Sequence, residues 1–355
     1  MAQVSHMTVS RALNDKPRVH DETKKRILSI AKELNYQPNF IARSLVMKRT
    51  KTLGLVITTI ANPFYNELAQ GIEATARGLG YNIILCCTNY DLSSEQQYIE
   101  MLQSKGVDGI ILCSAHMEDR NVVRLAEDGF PIVLVNRRTY HPIVKEKVDY
   151  VGVDNILGGF LAVEHLIKLG HKRIGVIGGS SDSSVGFERL EGGKKAFEAY
   201  GLDQITDYFL DGDFLKDSGY KGGKRFLKMA EPPTAVFATN DYMALGAYQA
   251  VLEESRKIPE EIAIVGFNDI EFTAMKGIEL TTVGQKKFEM GALAVKTLVE
   301  KAEGGEVKPS TKEIFLKPEL IIRKTCGFYL KGYQLNPAPP LVIPAKAGIQ
   351  GAGFK

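Results

Sequence analysis

The segment SHMTVSRALN, residues 5–14, carries side chains whose types and spacing suit contacts with nucleic acid. A helix here would have an apolar face of Val9, Ala12 and Leu13, and a polar face of His6, Met7, Ser10 and Arg11. The apolar set has the i, i+3, i+4 spacing of a buried stripe. The Arg11 guanidinium is suited to a bidentate contact with guanine, whereas the hydroxyls of Thr8 and Ser10 suit phosphates. The pattern predicts a short DNA-contacting helix whose first turn is capped by Ser5.

The distribution of charge agrees with this interpretation. Residues 1–52 contain 11 Lys and Arg against 4 Asp and Glu, a net charge of +7, whereas the remainder has 34 against 38, a net charge of −4. A compact basic head on a slightly acidic body is typical of nucleic-acid-binding proteins. A solvated basic surface without a ligand is the alternative explanation.

The beginning of the chain leaves little room for the rest of a DNA-binding head. A helix that enters the major groove packs against a preceding helix that crosses the DNA backbone. Only MAQV precedes Ser5. We therefore expect Met1 to be an internal methionine of a longer gene product. The alternative is a genuine truncation, which would keep the body of the protein and lose DNA binding.

The elements that follow indicate a second helix, a linker and a long α/β region. Asp21 and Glu22 suit the first turn of a helix, and Pro38 suits the first turn of a shorter one, PNFIARSL. From Leu53 onward, short apolar runs such as LGLVIT, DGIILC, RIGVIGG and IAIVGF alternate with amphipathic stretches. Such runs are typical of strands buried on both faces of a parallel sheet. The alternation predicts doubly wound α/β architecture in two lobes.

The predicted domain boundaries follow from this pattern. The head spans 1–37, the hinge helix and linker 38–52, and the core 53–325. Within the core, lobe 1 spans about 53–150 and 286–310, and lobe 2 spans about 151–285 and 311–325. We expect a disordered tail at 326–355, because it is rich in Pro, Gly and Ala and has no sustained period.

Several motifs together resemble the LacI/GalR family of bacterial transcriptional repressors. They include TVSRALN, NPFYNEL, VDGIIL, GVDNILGG, PTAVFATND and IVGFND, and they occur in order through most of the chain. The resemblance implies an α/β protein with an all-α helix-turn-helix head, whose first helix is missing here. It also implies a periplasmic-binding-protein-like core of two lobes with parallel doubly wound sheets. Such a protein is a homodimer that binds a palindromic operator in double-stranded DNA and a small effector.

The resemblance also assigns DNA-binding residues. His6 and Met7 match the family positions that read base edges, and Arg11 matches the arginine on the same face. Leu45, in the hinge helix PNFIARSL, corresponds to the side chain that is wedged into the minor groove. The full set is Ser5, His6, Met7, Thr8, Ser10, Arg11, Asn14, Asn39 and Leu45. For Asn14, capping of the helix end is an equal alternative.

For the effector, the resemblance points to a cleft between the lobes, with some of the candidates at strand ends and others at a turn or at the start of a helix. The candidates are Asn62, Phe64, Tyr65, Asn136, Arg137, Arg189, Phe214, Asn240, Asp241 and Asn268. Aromatic faces with amide and guanidinium donors suit a sugar-like or nucleoside-like effector, and we expect a carbohydrate. The family often has Asp where this chain has Asn136 and Asn268, so the chemical class of the effector stays open. Asp241 is as well explained by helix capping.

Other classes of protein fit the sequence less well. A solute-binding protein would share the two-lobed core, but no signal peptide or membrane span is apparent and the head is basic, so we expect a cytoplasmic protein. An effector-binding core that has lost DNA binding is the other alternative. An α/β enzyme is not indicated, because GVIGGSSDSS lacks a phosphate-loop signature and no catalytic motif occurs. The four cysteines have no metal-ligand spacing, and we expect no cofactor, no metal and no catalytic residue.

Overall fold

The computed structural model describes residues 3–13, 17–34, 49–304 and 311–331. The predicted hinge helix at 38–45, with Asn39 and Leu45, lies outside the described residues, and so does Asn14. Among the described helices, none combines the length and the apolar composition needed to cross a bilayer.

The head contains two helices that pack on each other, α1 (His6–Leu13) and α2 (Asp21–Glu33). Ser5 caps α1, because its Oγ accepts a hydrogen bond from the backbone N–H of Thr8 at 3.2 Å. Ala12 of α1 and Ile27 of α2 are buried, whereas Val9 and Leu13 are half-buried. The predicted apolar face of the first helix therefore points inward, with Ala12 as its most buried member.

The remaining described residues form alternating strands and helices. In chain order, the strands are β1 (Thr52–Ile57), β2 (Asn82–Cys87), β3 (Gly109–Leu112), β4 (Ile132–Val135), β5 (Asp149–Val153), β6 (Ile174–Ile177), β7 (Phe209–Leu210), β8 (Ala235–Ala238), β9 (Ala263–Asn268), β10 (Thr281–Gly284), β11 (Glu313–Leu316) and β12 (Glu319–Ile321). The helices are α3 (Phe64–Gly78), α4 (Leu92–Ser104), α5 (Arg120–Glu127), α6 (Pro142–Lys147), α7 (Asn155–Lys168), α8 (Ser184–Ala199), α9 (Lys216–Leu227), α10 (Asp241–Glu253) and α11 (Lys287–Ala302). Short 3₁₀ helices occur at Thr206–Tyr208, Glu271–Ala274 and Phe328–Lys331.

These elements divide into two compact units. Unit 1 comprises Met1–Asp154, Asp182–Val185 and Lys286–Lys317, and unit 2 comprises Asn155–Ser181, Gly186–Gln285 and Pro318–Lys355. The sheet of unit 1 has the order β11-β5-β4-β3-β1-β2, and all its described pairs are parallel. The sheet of unit 2 has the order β12-β10-β9-β8-β6-β7, in which β12 alone runs antiparallel to its neighbour.

Two predicted lobe boundaries are wrong. The segment DYVGV is strand β5 of unit 1, so the first unit continues to Asp154 rather than ending at residue 150. The segment 311–325, predicted to belong to lobe 2, contains strands β11 and β12, which belong to different units. Pro318 lies between them, where it has no N–H to continue a ladder. Residues 311–317 therefore belong to unit 1.

The start of the predicted disordered tail is also wrong. Cys326 is completely buried, and Phe328–Lys331 form a 3₁₀ helix. The preceding Thr325 fixes this segment to the sheet of unit 2, because its hydroxyl donates to the Ile264 carbonyl at 2.7 Å and accepts from the Thr281 N–H at 2.9 Å. Residues 332–355 lie outside the described residues.

Glycines let helices within each unit approach to backbone contact. In unit 1, a Cβ placed on Gly71 of α3 would overlap the carbonyl of Phe288 in α11. In unit 2, a Cβ placed on Gly159 of α7 would overlap the carbonyl of Arg189 in α8. Backbone atoms cannot yield as the end of a flexible side chain can, so a methyl group at either position requires the helices to separate.

Helix α3 offers a matched pair of substitutions to test this contact. We predict that Gly71→Ala destabilises the protein by about 1–3 kcal/mol, the usual cost of overpacking. Gly78→Ala should instead stabilise it by about 0.5–1 kcal/mol, because the same helix has open space at Gly78 and alanine is the better helix former. Urea unfolding measures both changes. Equal effects of the two substitutions would contradict the close contact of α3 with α11.

A buried carboxyl lies behind the carboxyl end of β3 in unit 1. Glu95 of α4 is 1% exposed, its Oε1 accepts from the Asn121 amide at 3.1 Å, and its Oε2 accepts from the Ser114 hydroxyl. Asp119 is also buried and caps α5. Burial, and then the charge of Asp119, raises the pKa of Glu95 from 4.5 to about 7.

This pKa has a defined consequence for stability. Native Glu95 holds its proton more tightly than the unfolded chain does, so the free energy of unfolding should decrease as pH rises from about 4.5 through 7. We predict that Glu95→Gln, which is neutral at every pH, removes this decrease in the free energy of unfolding. Urea unfolding at a series of pH values measures it. Glu100→Gln, on the exposed side of the same helix, is the control, and unchanged pH dependence in Glu95→Gln would refute the assignment.

Candidate functional site

The predicted DNA-contacting face of the head is accessible. His6, Met7 and Ser10 are exposed, and Arg11 is half-buried in the last turn of α1. Met7 is 63% exposed, although it is a large apolar side chain. Of the remaining predicted residues in this part of the head, Ser5 is exposed and Thr8 is half-buried. The hydroxyl of Ser5 lies 2.9 Å from that of Thr8, so Ser5 has a structural role as a cap.

In unit 1, three predicted effector residues follow β1. Asn62 is buried, and its Oδ1 accepts from the N–H of Phe64 at 3.1 Å, which fixes the first turn of α3. Phe64 and Tyr65 are buried and form an edge-to-face pair with ring centroids 5.1 Å apart. The Tyr65 hydroxyl accepts from Thr58 at 3.0 Å. Burial raises the pKa of Tyr65, and the charge of Arg137 opposes this shift only in part.

The other two predicted residues of unit 1 follow β4. Asn136 has a left-handed backbone with φ of 65°, which asparagine tolerates better than most residues. Its carbonyl accepts from the Tyr150 hydroxyl at 2.9 Å, while its own Oδ1 is buried without a hydrogen-bond partner in the described residues. Arg137 is buried, with its guanidinium 5.5 Å from the centre of the Tyr90 ring. Because β1 and β4 run parallel, all five residues lie at the carboxyl end of the same sheet.

In unit 2, Arg189 occupies the centre of the corresponding edge. Although it is charged, it is only 2% exposed. Its Nε donates to Oδ1 of Asn155 at 2.8 Å, and its Nη1 donates to the carbonyl of Thr239 at 2.8 Å. The guanidinium carbon lies 3.8 Å from the centre of the Phe267 ring. These contacts hold the guanidinium against the Phe267 ring, at the carboxyl ends of β8 and β9.

The amides near Arg189 differ in their roles. Asn240 caps α10 through its Oδ1, which accepts from Met243 N–H at 2.8 Å, and its Nδ2 donates to the carbonyl of Phe214 at 2.8 Å. Asn268 accepts from Nε2 of Gln285 at 2.6 Å, while Oε1 of Gln285 is buried without a partner in the described residues. A buried acceptor without a partner is costly unless a ligand or water completes it. Gln285 is therefore a candidate effector residue.

Two predicted residues of unit 2 have clear structural roles. Asp241 is completely buried, and its two oxygens accept from the Ile270 N–H at 2.9 Å and from the Thr282 hydroxyl at 2.5 Å. These bonds tie α10 to β10 and to the segment after β9. Phe214 is buried with φ of 69°, and its ring covers Gly179, where a Cβ would overlap it.

Sequence reasoning missed several residues that the structure places beside the predicted ones. They are Asn155, Glu188, Thr239 and Gln285 in unit 2, and Tyr90 in unit 1. Three of them lie in motifs already quoted or at strand ends, namely GVDN, FATN and TTVGQ. A rule that counted every polar residue directly after a buried strand would have found Thr239 and Gln285. No group of three His, Cys, Asp or Glu side chains suited to a metal ion occurs in the described residues.

Comparison with known proteins covers both the head and the core. Residues 1–39 match the family described as bacterial regulatory proteins, lacI family, and residues 50–317 match periplasmic binding proteins and sugar binding domain of LacI family. The HTH-type transcriptional repressor PurR of Haemophilus influenzae (strain PittEE) is 36% identical, over 92% of this chain and 96% of its own.

Solved structures agree with this assignment. The transcriptional regulator CelR–cellobiose complex is 31% identical with a TM-score of 0.71, over 91% of this chain and 97% of its own. The lac repressor dimer bound to operator and the anti-inducer ONPF is 26% identical with a TM-score of 0.81, over 92% of this chain and 96% of its own. Since the head and the core both match the same family, the chain belongs to the LacI family of bacterial regulatory proteins.

Proposed function

We propose that this protein is a transcriptional repressor that binds a palindromic operator as a homodimer and responds to a small polar effector. The main observation in support of effector binding is the buried Arg189 guanidinium, which Asn155 and Thr239 hold against Phe267. Relatives with this architecture are repressors, and the lac repressor structure is a dimer bound to operator. An effector-binding core without DNA binding is not favoured, because the head also matches the family.

For the operator, we propose that the exposed face of α1 reads bases. His6, Met7 and Arg11 would contact base edges, and Ser5, Thr8 and Ser10 would contact phosphates or order the helix. Asn14, Asn39 and Leu45 complete the proposed set on the strength of the family resemblance alone. Met7 can offer only apolar contact, for instance to a thymine methyl group.

For the effector, the charges of the candidate residues favour a neutral or anionic ligand over a cation. Arg137 and Arg189 are positive, whereas the carboxylate of Asp241 already accepts two hydrogen bonds within unit 2. Asn136 and Gln285 add buried oxygens that accept hydrogen bonds. Aromatic faces at Phe64, Tyr65, Phe214 and Phe267, with these amides, suit a sugar or a nucleoside. The CelR complex shows that one relative binds cellobiose.

We predict that Arg11→Ala reduces operator affinity by roughly ten-fold or more, because a bidentate base contact contributes about 1–3 kcal/mol of discrimination. The operator is first selected from random double-stranded DNA by the wild-type chain, and affinities are then measured by gel shift. Arg26→Ala, which removes the same charge from α2, is the control and should weaken all sequences alike. Failure of the wild-type chain to select any sequence would refute operator binding by this chain. Equal loss of specificity in both variants would remove Arg11 from base recognition.

The effector proposal is tested with a panel of D-ribose, cellobiose, adenosine and hypoxanthine. A ligand that binds only the native state raises the melting temperature by mass action. We predict that one class in the panel raises the Tm of the wild type and that Arg189→Lys abolishes this rise, because a lysine cannot reproduce the planar contacts of the guanidinium. A wild-type-like response of Arg189→Lys would show that the effector binds elsewhere.

A further inference from the structure

The side chain of Arg189 is held by a chain of polar contacts that extends beyond its immediate partner. Asn155 accepts from Arg189 Nε through its Oδ1 at 2.8 Å, and its Nδ2 donates to Glu188 Oε2 at 2.9 Å. Asn155, Glu188 and Arg189 are each at most 3% exposed. One amide therefore joins a buried carboxylate to a buried guanidinium.

The chemistry of the three groups fixes the orientation of that amide. A guanidinium can only donate, so it must face the oxygen of Asn155, and a carboxylate can only accept, so it must face the nitrogen. Neither aspartate nor leucine at position 155 could satisfy both neighbours. Asn155 is the first residue of α7, whereas Glu188 and Arg189 are consecutive in α8, so the contacts also join two helices.

The packing of α7 on α8 supports the same geometry. Gly159 lies one turn after Asn155, and a Cβ there would overlap the carbonyl of Arg189 itself. A Cβ on Gly192 would overlap the carbonyl of Ile156, next to Asn155. The two helix backbones thus touch at the level of Arg189, which sets the distance that the Asn155 side chain spans.

We propose that Asn155 and Glu188 are positioning residues, which anchor the Arg189 guanidinium against Phe267 and thereby set effector affinity. An unanchored arginine loses rotamer freedom when it binds a ligand, and an anchored one has lost it on folding. The anchor also leaves the guanidinium plane in a single orientation, which a rigid planar donor needs for selectivity. The part of this inference that concerns the effector rests on the proposed function.

The anchor is tested first without any ligand, on the full-length chain. Hydrogen exchange of the Arg189 Nε–H is followed by ¹H–¹⁵N NMR, with the resonance identified by its loss in Arg189→Lys. In the wild type this hydrogen is buried and bonded, so exchange should be slow. Asn155→Leu, of similar volume, should accelerate it at least ten-fold, because a hydrogen bond to a charged group is lost. Glu188→Gln should cause a smaller acceleration.

The control is Thr325→Val, which also removes buried hydrogen bonds from unit 2 but acts at Ile264, near the amino end of β9 and three residues before Phe267. It should leave Arg189 exchange unchanged. Exchange at the wild-type rate in both Asn155→Leu and Glu188→Gln would overturn the anchor. If Asn155→Leu does not fold, Glu188→Gln alone decides the outcome. This variant should fold, because glutamine keeps an oxygen that accepts from the Asn155 amide.

Effector affinity provides the second measurement and separates the two proposals. For a panel ligand that stabilises the wild type, Asn155→Leu should weaken binding about ten-fold, whereas Thr325→Val should not. Wild-type affinity in Asn155→Leu, with binding abolished by Arg189→Lys, would refute the positioning role and keep the effector site. A different outcome would keep the anchor and refute the effector site. In that outcome, hydrogen exchange at Arg189 is fast in Asn155→Leu, and Arg189→Lys responds to the ligands as the wild type does.

Discussion

A guanidinium that is removed from water must have hydrogen-bond partners of fixed geometry, and unit 2 is organised around this requirement. Arg189 is contacted by the first residue of α7, by the backbone after β8 and by an aromatic ring of β9. These elements are far apart in sequence, and parallel strands bring their ends to one edge. The contacts of glycine with backbone between α7 and α8 keep the same elements at the required distance.

In unit 1, the residues at the carboxyl edge of the sheet have a different balance of charge from those in unit 2. Arg137 lies near the Tyr90 ring, and Asn136 presents a buried amide oxygen. Two buried carboxyls of this unit, Glu95 and Asp119, lie behind the carboxyl end of β3. Of the ten residues predicted to bind the effector, Asp241 alone is acidic, and its carboxylate already accepts from Ile270 and Thr282.

Much of the fold could be predicted from the sequence because it rests on local periodicity. Apolar runs such as DGIILC form strands as predicted, and amphipathic stretches between such runs form helices, for example α7. The strand DYVGV was missed, because its Asp149 and its glycine do not resemble a buried strand, although Asp149 accepts from the Lys312 N–H at 2.8 Å. The partition of 313–321 between two sheets depends on pairing with distant strands, which periodicity does not encode.

The residues of the candidate site also divide into those that the sequence could predict and those that it could not. Asn136 and Asn268 were predicted from motifs at strand ends, and Arg189 from the family resemblance. The partners that orient them, Asn155 and Gln285, depend on side-chain contacts across more than one element. For Asp241 the sequence left ligand binding and helix capping open, because a carboxylate at the start of a helix suits both, and in the structure it accepts from Ile270 and Thr282.

Strands β11 and β12 lie next to each other in sequence, on either side of Pro318, and each is the edge strand of a different sheet. Both sheets are therefore incomplete until residues 313–321 have left the ribosome, although their other strands emerge long before. During synthesis the nascent chain exposes two open sheet edges at once, which can pair with other chains. A premature stop before residue 313 would remove an edge strand from both units together, so the completeness of the two sheets depends on one short segment.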